Sequence, residues 1–464
     1  MSARVSILAL VLSLSARASA DAAPDPTKLG HDIYQELIEA NTTQSSGDTY
    51  KAAQAMAARL ITAGFATKDV QTFEVAPRRG NLVARLRGTG KRKPLLLVAH
   101  LDVVEAKRED WSTDPFKLVE KNGYYYGRGT SDDKAMAAVW VANLCRWKQE
   151  GYRPDRDLIL VLETDEEIAD VNSLGIRWLI KNHPELIRAE LALNEGGDVG
   201  TKDGKPVWNT IQTSEKLYQS FWLEVRNVGG HSSLPRKDNA IYELAAGLSR
   251  LESFAFPLEL NETTRAYFEK LSATETGQVA ADMKAVLAVK PDPAAVARLS
   301  EQATYNAQMR TTCVATRLEG GHADNALPQL ARAMLNCRIL PGKRVEDVQS
   351  TLERVLADSK IVVTATAKDT ASPPSPFHKE LFAAVEKLTT KYWPTATVLP
   401  RMGAGATDGR FLRNAKIPTY GHSGLAADIF DVREHGKDER VLVRAFETEQ
   451  QYTYELVKLL AGGQ

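Results

Sequence analysis

The sequence predicts an α/β protein: a mainly parallel sheet covered by helices, interrupted by an inserted α+β unit. Three observations carry this. Between residues 70 and 197, short apolar runs alternate with longer helical patterns; near residue 215 the pattern changes to amphipathic strands and helices; after the proline-rich "SPPSP" at 372–376 the first pattern returns.

In order along the chain, residues 31–64 read as two helices, followed by the strand-like runs "VQTFEVA", "GNLVARLRG" and "PLLLVAHLD". Five consecutive apolar residues, 95–99, are too few for an ordinary helix and suit a strand covered on both faces. Residues 133–149 form a helical pattern with Met136, Val139, Trp140, Leu144 and Trp147 on one broad face. The strand "DLILVLETDEE", the helix "LGIRWLIKNHP" and the strand "AELALNEGG" come next. The expected insert spans 215–368: the strand "LYQSFWLEVRN", the helix "AIYELAAGLSRLESF", a charged helical stretch at 257–310, the strands "TTCVATRLEGG" and "ARAMLNCRILPG", the helix "VEDVQSTLERVLAD" and the strand "KIVVTATA". Residues 21–214 and 369–464 then make up the first and second parts of the main domain, the latter supplying a helix, the strand "IPTYGHS" and a final helix.

The N-terminus, "MSARVSILALVLSLSARASADAAP", has Arg4, a short apolar run at 5–14 and Ala18-Ser19-Ala20, the pattern of a secretory leader over residues 1–20 with cleavage after Ala20. A periplasmic or secreted protein without a membrane span is therefore expected. The 59 basic and 59 acidic residues cancel, which argues against a nucleic-acid footprint or a polybasic anchor. Cys145, Cys313 and Cys337 fit no zinc-finger or redox spacing, so any metal is left to His, Asp and Glu. Cys313 and Cys337 lie on consecutive strands of the insert, where they either form a bridge or remain buried thiols.

In an open parallel sheet, ligands bind beyond the carboxyl ends of the strands. Three strands here finish in potential metal ligands: His100 and Asp102, the acids of "TDEE", and Glu195 of "NEGG". Because strand side chains alternate, His100 and Asp102 project to one side, where a carboxylate can hold one ring nitrogen and leave the other for a metal. Asp132 and Asp133 sit at the start of the 133–149 helix, where Asp132 could instead serve as a cap. Carboxylates converging on one crevice repel each other and call for positive charge; divalent metal is the simplest source, and thiolate-free His/Asp/Glu sets suit zinc pairs about 3.5–4 Å apart.

The motifs "AHLDVV", "GRGTSDDKAMAA", "TDEEIAD", "NEGG", "GGHSSLP", "NALPQLARAMLNCRILPG", "GAGATDGRF" and "HGKDERV", in that order across residues 30–460, resemble the two-zinc exopeptidases that include glutamate carboxypeptidase, aminoacylase, carnosinase and succinyl-diaminopimelate desuccinylase. The resemblance implies two zinc ions per subunit, with manganese or cobalt as substitutes. His100 would ligate one ion and His435 the other, Asp132 would bridge them, and Glu167 and Glu195 would complete the sites. Asp102 would orient His100, and Glu166 would be the general base that activates the bridging water and passes its proton to the leaving nitrogen. The choice between Glu166 and Glu167 rests on the family alone. The insert would be a dimerisation or lid domain whose His231 reaches the partner subunit's site in a homodimer; without the family, His231 reads as a loop residue. Asn325, Arg338, Gly403 and Gly405 would contact substrate, Arg338 by pairing with a carboxylate. Ala135 and Ala137 depart from the glycines common in such proteins, which narrows the helix start and leaves the ligands intact. The implied activity is hydrolysis of amide bonds in peptides, of carboxypeptidase or dipeptidase type, or in N-acyl amino acids. Two other readings are a catalytically inactive, metallopeptidase-like binding module and a serine hydrolase built on "GHSG" at 421–424. The second has Leu425 where a nucleophile elbow needs glycine.

Overall fold

The computed structural model describes residues 25–168, 174–366 and 371–463; the expected leader and its cleavage point lie outside them. At its centre is a ten-stranded sheet. Leu95–His100 runs parallel to both Leu158–Glu163 and Leu191–Asn194, and Thr419–Gly421 extends the parallel run beyond Leu191–Asn194. Every side chain of Leu95–His100 and Leu158–Glu163 is buried, as continuous apolar runs require when both sheet faces are covered.

Antiparallel strands flank this centre: Val70–Ala76 and Arg79–Leu86 on one side, and the hairpin of Val199–Lys202 with Lys205–Glu215 on the other. The hairpin is not among the sequence expectations, although its turn carries a strong signal. Asp203 and Gly204 both adopt positive φ (52° and 72°), as a two-residue hairpin turn demands.

The helix Lys134–Gln149 differs from its expected single apolar face. It is buried almost all round, with Ala135, Ala137, Ala138, Val141 and Ala142 enclosed as fully as Trp140 and Trp147. It lies between the sheet and the helices Pro26–Glu39, Thr49–Thr62 and Val443–Ala461, so its small residues are what permit close approach on the remaining sides.

The inserted unit contains a four-stranded antiparallel sheet, ordered Thr312–Gly320, Leu330–Ile339, Leu217–Arg226, Ile361–Ala365. The helices Ala240–Glu252 and Val345–Leu356 cover one face, enclosing Phe221, Leu223, Leu244, Leu335 and Leu352. The charged helical stretch within the expected insert packs elsewhere. Tyr267, Phe268, Met283 and Leu299, from the helices Glu262–Thr274, Gly277–Val286 and Pro293–Ser300, gather around Leu399 of the strand Thr397–Gly403, which pairs with Lys205–Glu215 of the large sheet. That strand brings an apolar side chain to the sheet margin, and the helical block buries it.

Cys313 and Cys337 are directly opposed on paired strands and form a disulfide, whereas Cys145 is a buried free thiol. Non-reducing mass spectrometry should therefore find one bridge and one alkylatable thiol under denaturing conditions. Replacing both bridged cysteines with serine should lower stability by about 3 kcal/mol in urea unfolding, the scale for a closed loop of this length.

Candidate metal centre

His100 is the last residue of its strand and is buried. Its Nδ1 lies 2.9 Å from the backbone carbonyl oxygen of Asp102, and its Nε2 lies 2.9 Å from Oδ1 of Asp132. The carbonyl fixes the ring and leaves Nε2 facing the cleft. The expected role of the Asp102 carboxylate is thereby corrected. It lies 3.7 Å from the imidazole and instead accepts the backbone N–H groups of Glu166 (3.2 Å) and Glu167 (3.0 Å). Asp102 thus orients His100 through its main chain and the Glu166-Glu167 turn through its side chain.

Asp132 does not cap the following helix. The N-cap residue is Asp133, whose side chain makes no capping bond and instead accepts the backbone N–H of His100 at 3.3 Å. The Asp132 carboxylate is left to face two imidazoles: Oδ1 toward His100 and Oδ2 toward His435 Nε2 at 3.2 Å. His435 Nε2 also lies 2.9 Å from Oε1 of Glu167, and Glu195 Oε2 lies 4.0 Å from His100 Nε2. Among the described residues the Glu166 carboxylate makes no hydrogen bond to either histidine, yet it groups with His100 and Glu195 within 4.8 Å. His100, Asp132 and Glu167 form a second such group.

Charge explains why these residues influence one another. Burial pushes Glu166 and Glu195 well above the usual carboxylate range, and neighbouring acids add to the rise. Burial opposes charge on His100, but the Asp132 hydrogen bond and the surrounding carboxylates outweigh it and hold the imidazole well above its ordinary value. His435 is raised to about 10 by its hydrogen bonds to Asp132 and Glu167. A carboxylate presenting one oxygen to each of two imidazoles, with a further carboxylate beside each, is a donor set that fits a pair of divalent ions of the zinc, manganese or cobalt type.

The structure does not bring every expected site residue to this cluster. His231 is exposed on a two-stranded ribbon opposite Ala326, and its Nδ1 accepts from the backbone N–H and the hydroxyl of Ser233. Asn325 is exposed in the turn that leads into the same ribbon, its backbone carbonyl accepting from the Ser232 N–H. Arg338 stacks 4.7 Å from the Tyr218 ring centre and reaches the Ala404 carbonyl at 3.5 Å, so it does adjoin the glycine-rich loop. Gly403 is buried: a Cβ there would lie 2.4 Å from Gln212 Oε1, so its glycine serves close packing. Gly405 is exposed, with open space around it.

Several residues at the centre are absent from the sequence expectations. Glu163 is pushed well above the usual carboxylate range by burial and by Asp408 beside it, and its carboxyl accepts the Ile176 N–H. Asp408 follows the glycines in "GAGATD", and Glu163 directly precedes "TDEE", so both lay beside motifs already singled out. Glu439, inside "HGKDERV", hydrogen-bonds the loop that carries Asp132. The "GHSG" stretch contains no nucleophile: Ser423 Oγ donates to the Gly197 carbonyl, and His422 bonds to Tyr452 and to the Thr210 carbonyl instead of to the serine.

A parallel sheet with histidine and carboxylates at its carboxyl edge and an antiparallel insert defines a metallohydrolase class. Residues 96–459 match the model of peptidase family M20/M25/M40, and the chain belongs to that family. It is 29% identical over 378 residues to the human N-fatty-acyl-amino acid synthase/hydrolase PM20D1, covering 79% of this chain and 74% of the relative. An M20 metallo-carboxypeptidase from Sulfolobus solfataricus superposes with a TM-score of 0.70 at 19% identity, covering 93% of this chain and 98% of that one. A dinuclear metal-binding M20 peptidase from Bacillus subtilis gives a TM-score of 0.60 at 13% identity, covering 95% and 99%. The chain is therefore a hydrolase of the metallopeptidase and amidohydrolase type.

His422 generates a test of stability. Burial pulls it from the ordinary 6.5 down to about 4, so below pH 6.5 the unfolded chain takes up a proton that the folded chain refuses. The stabilisation is complete above that pH and is lost as the pH falls toward 4, by about 3 kcal/mol. Urea unfolding at pH 7 and pH 4.5 should show this loss, and His422→Gln should have a measurably shallower pH slope.

Proposed function

We propose that this protein hydrolyses an amide bond that releases an amino acid from a peptide or an N-acyl amino acid, using two divalent metal ions, zinc in the first instance. The observation that carries the reading is the Asp132 carboxylate turned with one oxygen toward His100 and the other toward His435. His100 with Glu195, and His435 with Glu167, would complete two sites sharing Asp132. When bound, the metal pair supplies Lewis-acid polarisation of the scissile carbonyl and lowers the pKa of the attacking water.

The chain's own groups do the rest. Glu167 is engaged with His435, while Glu166 is free of both histidines, and this favours Glu166 as the group that takes the proton of the attacking water and delivers it to the leaving nitrogen. Glu166 is raised by burial, which suits a base that must later act as an acid. Arg338, beside Ala404, would hold the carboxylate of the released amino acid, with Asn325 as a further contact. His231 lies on an exposed ribbon of the insert and Asn325 in the turn that leads into it, and this supports a homodimer in which each chain's His231 completes the partner's site. The disulfide supports export to an oxidising compartment, periplasmic or extracellular, after removal of residues 1–20.

Glu166→Gln should retain fold and metal content while turnover of a dipeptide or N-acyl-amino-acid substrate falls at least about a hundredfold. Near-normal turnover would remove Glu166 from the mechanism. For the dimer, inactive His231→Ala protein mixed with inactive Glu166→Gln protein should regain activity, because one site of the hybrid combines an intact base with an intact partner histidine. No recovery after confirmed subunit exchange would place His231 within its own chain's chemistry.

A further inference from the structure

The side chain of Glu439 is completely buried and belongs to none of the roles assigned above. Its Oε1 accepts from the Ser131 N–H at 2.7 Å, the Ser131 hydroxyl at 3.0 Å and the Asp132 N–H at 3.2 Å. Its Oε2 accepts from Arg128 Nη1 at 2.6 Å and from the Gly129 N–H at 3.0 Å. Three main-chain N–H groups, of Gly129, Ser131 and Asp132, therefore meet one carboxylate, while that of Thr130 turns to the Gly127 carbonyl, a conformation that Gly129 permits by adopting φ +90°.

The same residue ties down the segment bearing His435. The Glu439 carbonyl accepts from the Gly127 N–H at 3.2 Å, and Arg128 Nη2 donates to the Gly436 carbonyl at 2.7 Å. The next residues, Arg440–Leu442, pair antiparallel with Tyr124–Tyr126 just upstream of the loop. Two segments about three hundred residues apart in sequence are thus locked together, one carrying Asp132 and the other His435.

We infer that Glu439 is a positioning residue for metal binding: its carboxylate sets the distance and orientation between Asp132 and His435, and thereby the affinity of the ion those two residues share. The inference rests on the proposed ligand roles of Asp132 and His435. A glutamine at 439 would turn an N–H₂ group toward backbone donors that need an acceptor, so the loop would reorganise although the side chain keeps its size. Partners that orient metal ligands in this way are typically worth about 10- to 100-fold in metal affinity.

Zinc titration with a competing chromophoric chelator, on the full mature chain, tests this. Wild-type protein should bind two ions per chain. Glu439→Gln should bind one of them at least about tenfold more weakly, with kcat at subsaturating zinc reduced more than KM is changed and activity recovering at high zinc. Ser131→Ala removes one donor without burying an unpaired charge; it should fold normally and weaken the same ion about threefold to tenfold. Glu215→Gln is the control: Glu215 is equally a buried hydrogen-bonded carboxylate, paired with Arg413 and Thr407, so its loss should lower stability and leave zinc affinity unchanged. Wild-type affinity for both ions in Glu439→Gln overturns the inference, as does wild-type affinity in Ser131→Ala should the first variant fail to fold. Equal weakening in Glu215→Gln also overturns it, since general destabilisation would then account for the effect. A wild-type chain that binds no divalent ion would defeat the proposed function instead.

Discussion

The centre depends on a single constraint: acids that repel one another must be kept within a few ångströms. Asp132, Glu166, Glu167 and Glu195 share one crevice, and burial and their mutual charge push all but Asp132 upward. Asp132 alone is held below the usual carboxylate range, because burial is outweighed by its hydrogen bonds to His100 and His435. Two imidazoles on one carboxylate make it the most firmly ionised group in the cluster. The others are raised by burial and by one another's charge, which added positive charge would offset. An acidic cluster of this kind is stable only if its scaffold prevents the acids from moving apart.

That scaffold has a rigid part and a tied part. His100 and Glu163 are register partners at the ends of parallel strands, and Leu191–Asn194 delivers Glu195 from the adjacent strand. Strand ends in a buried sheet have little freedom. Asp132, Glu166, Glu167 and His435 come from loops; a carboxylate that is no candidate ligand holds two of them, Asp102 the Glu166-Glu167 turn and Glu439 the Asp132 loop, while Arg128 ties the His435 segment at the Gly436 carbonyl. The crossing into the insert follows the same logic. Glu215 takes Arg413 and Thr407, while Lys216, with its pKa drawn down to about 7 by burial and by Arg338 and Arg310, donates to the Arg310 carbonyl. Its N–H donates to the Gly403 carbonyl, so the start of the insert touches the loop that Arg338 reaches.

What was legible in the sequence follows from this division. Residues at or next to strand ends can be found from burial pattern and alternation, because the strand period fixes direction; His100 and the acid of "NEGG" are of this kind, whereas the acids of "TDEE" stand in a turn beyond Leu158–Glu163. His435 has no such period, sitting in a loop at φ 61°, and only the ordered series of motifs drew attention to it. Glu439 lay four residues further on and was unmarked, since its partners are about three hundred positions away and a lone glutamate before a strand reads as a surface charge. Adjacency in sequence places the charged helical stretch at 257–310 with the insert, whereas the apolar residue it buries, Leu399, lies in a strand absent from the sequence expectations. Asp102 was assigned the right neighbour through the wrong atoms, because pattern reasoning counts side chains and the imidazole is met by a carbonyl.

The economy of the site bears on whether it is a catalyst or a passive binding surface. A module that merely displayed this fold would gain stability by replacing the least supported acid with a neutral residue of the same size, as replacing a buried, uncompensated charge generally does. Among the described residues Glu166 is such an acid, as is Glu195, which only approaches His100 at 4.0 Å. The Glu166 backbone is anchored by Asp102, whereas its carboxylate is left without a hydrogen bond to His100 or His435, beside Asp408, Glu167 and Asp132. Its neighbour Glu167, with similar surroundings, is satisfied by His435. A carboxylate without a hydrogen bond among the described residues, with its main chain fixed, is poorly explained by folding. Such a side chain would suit the proton transfer proposed for Glu166.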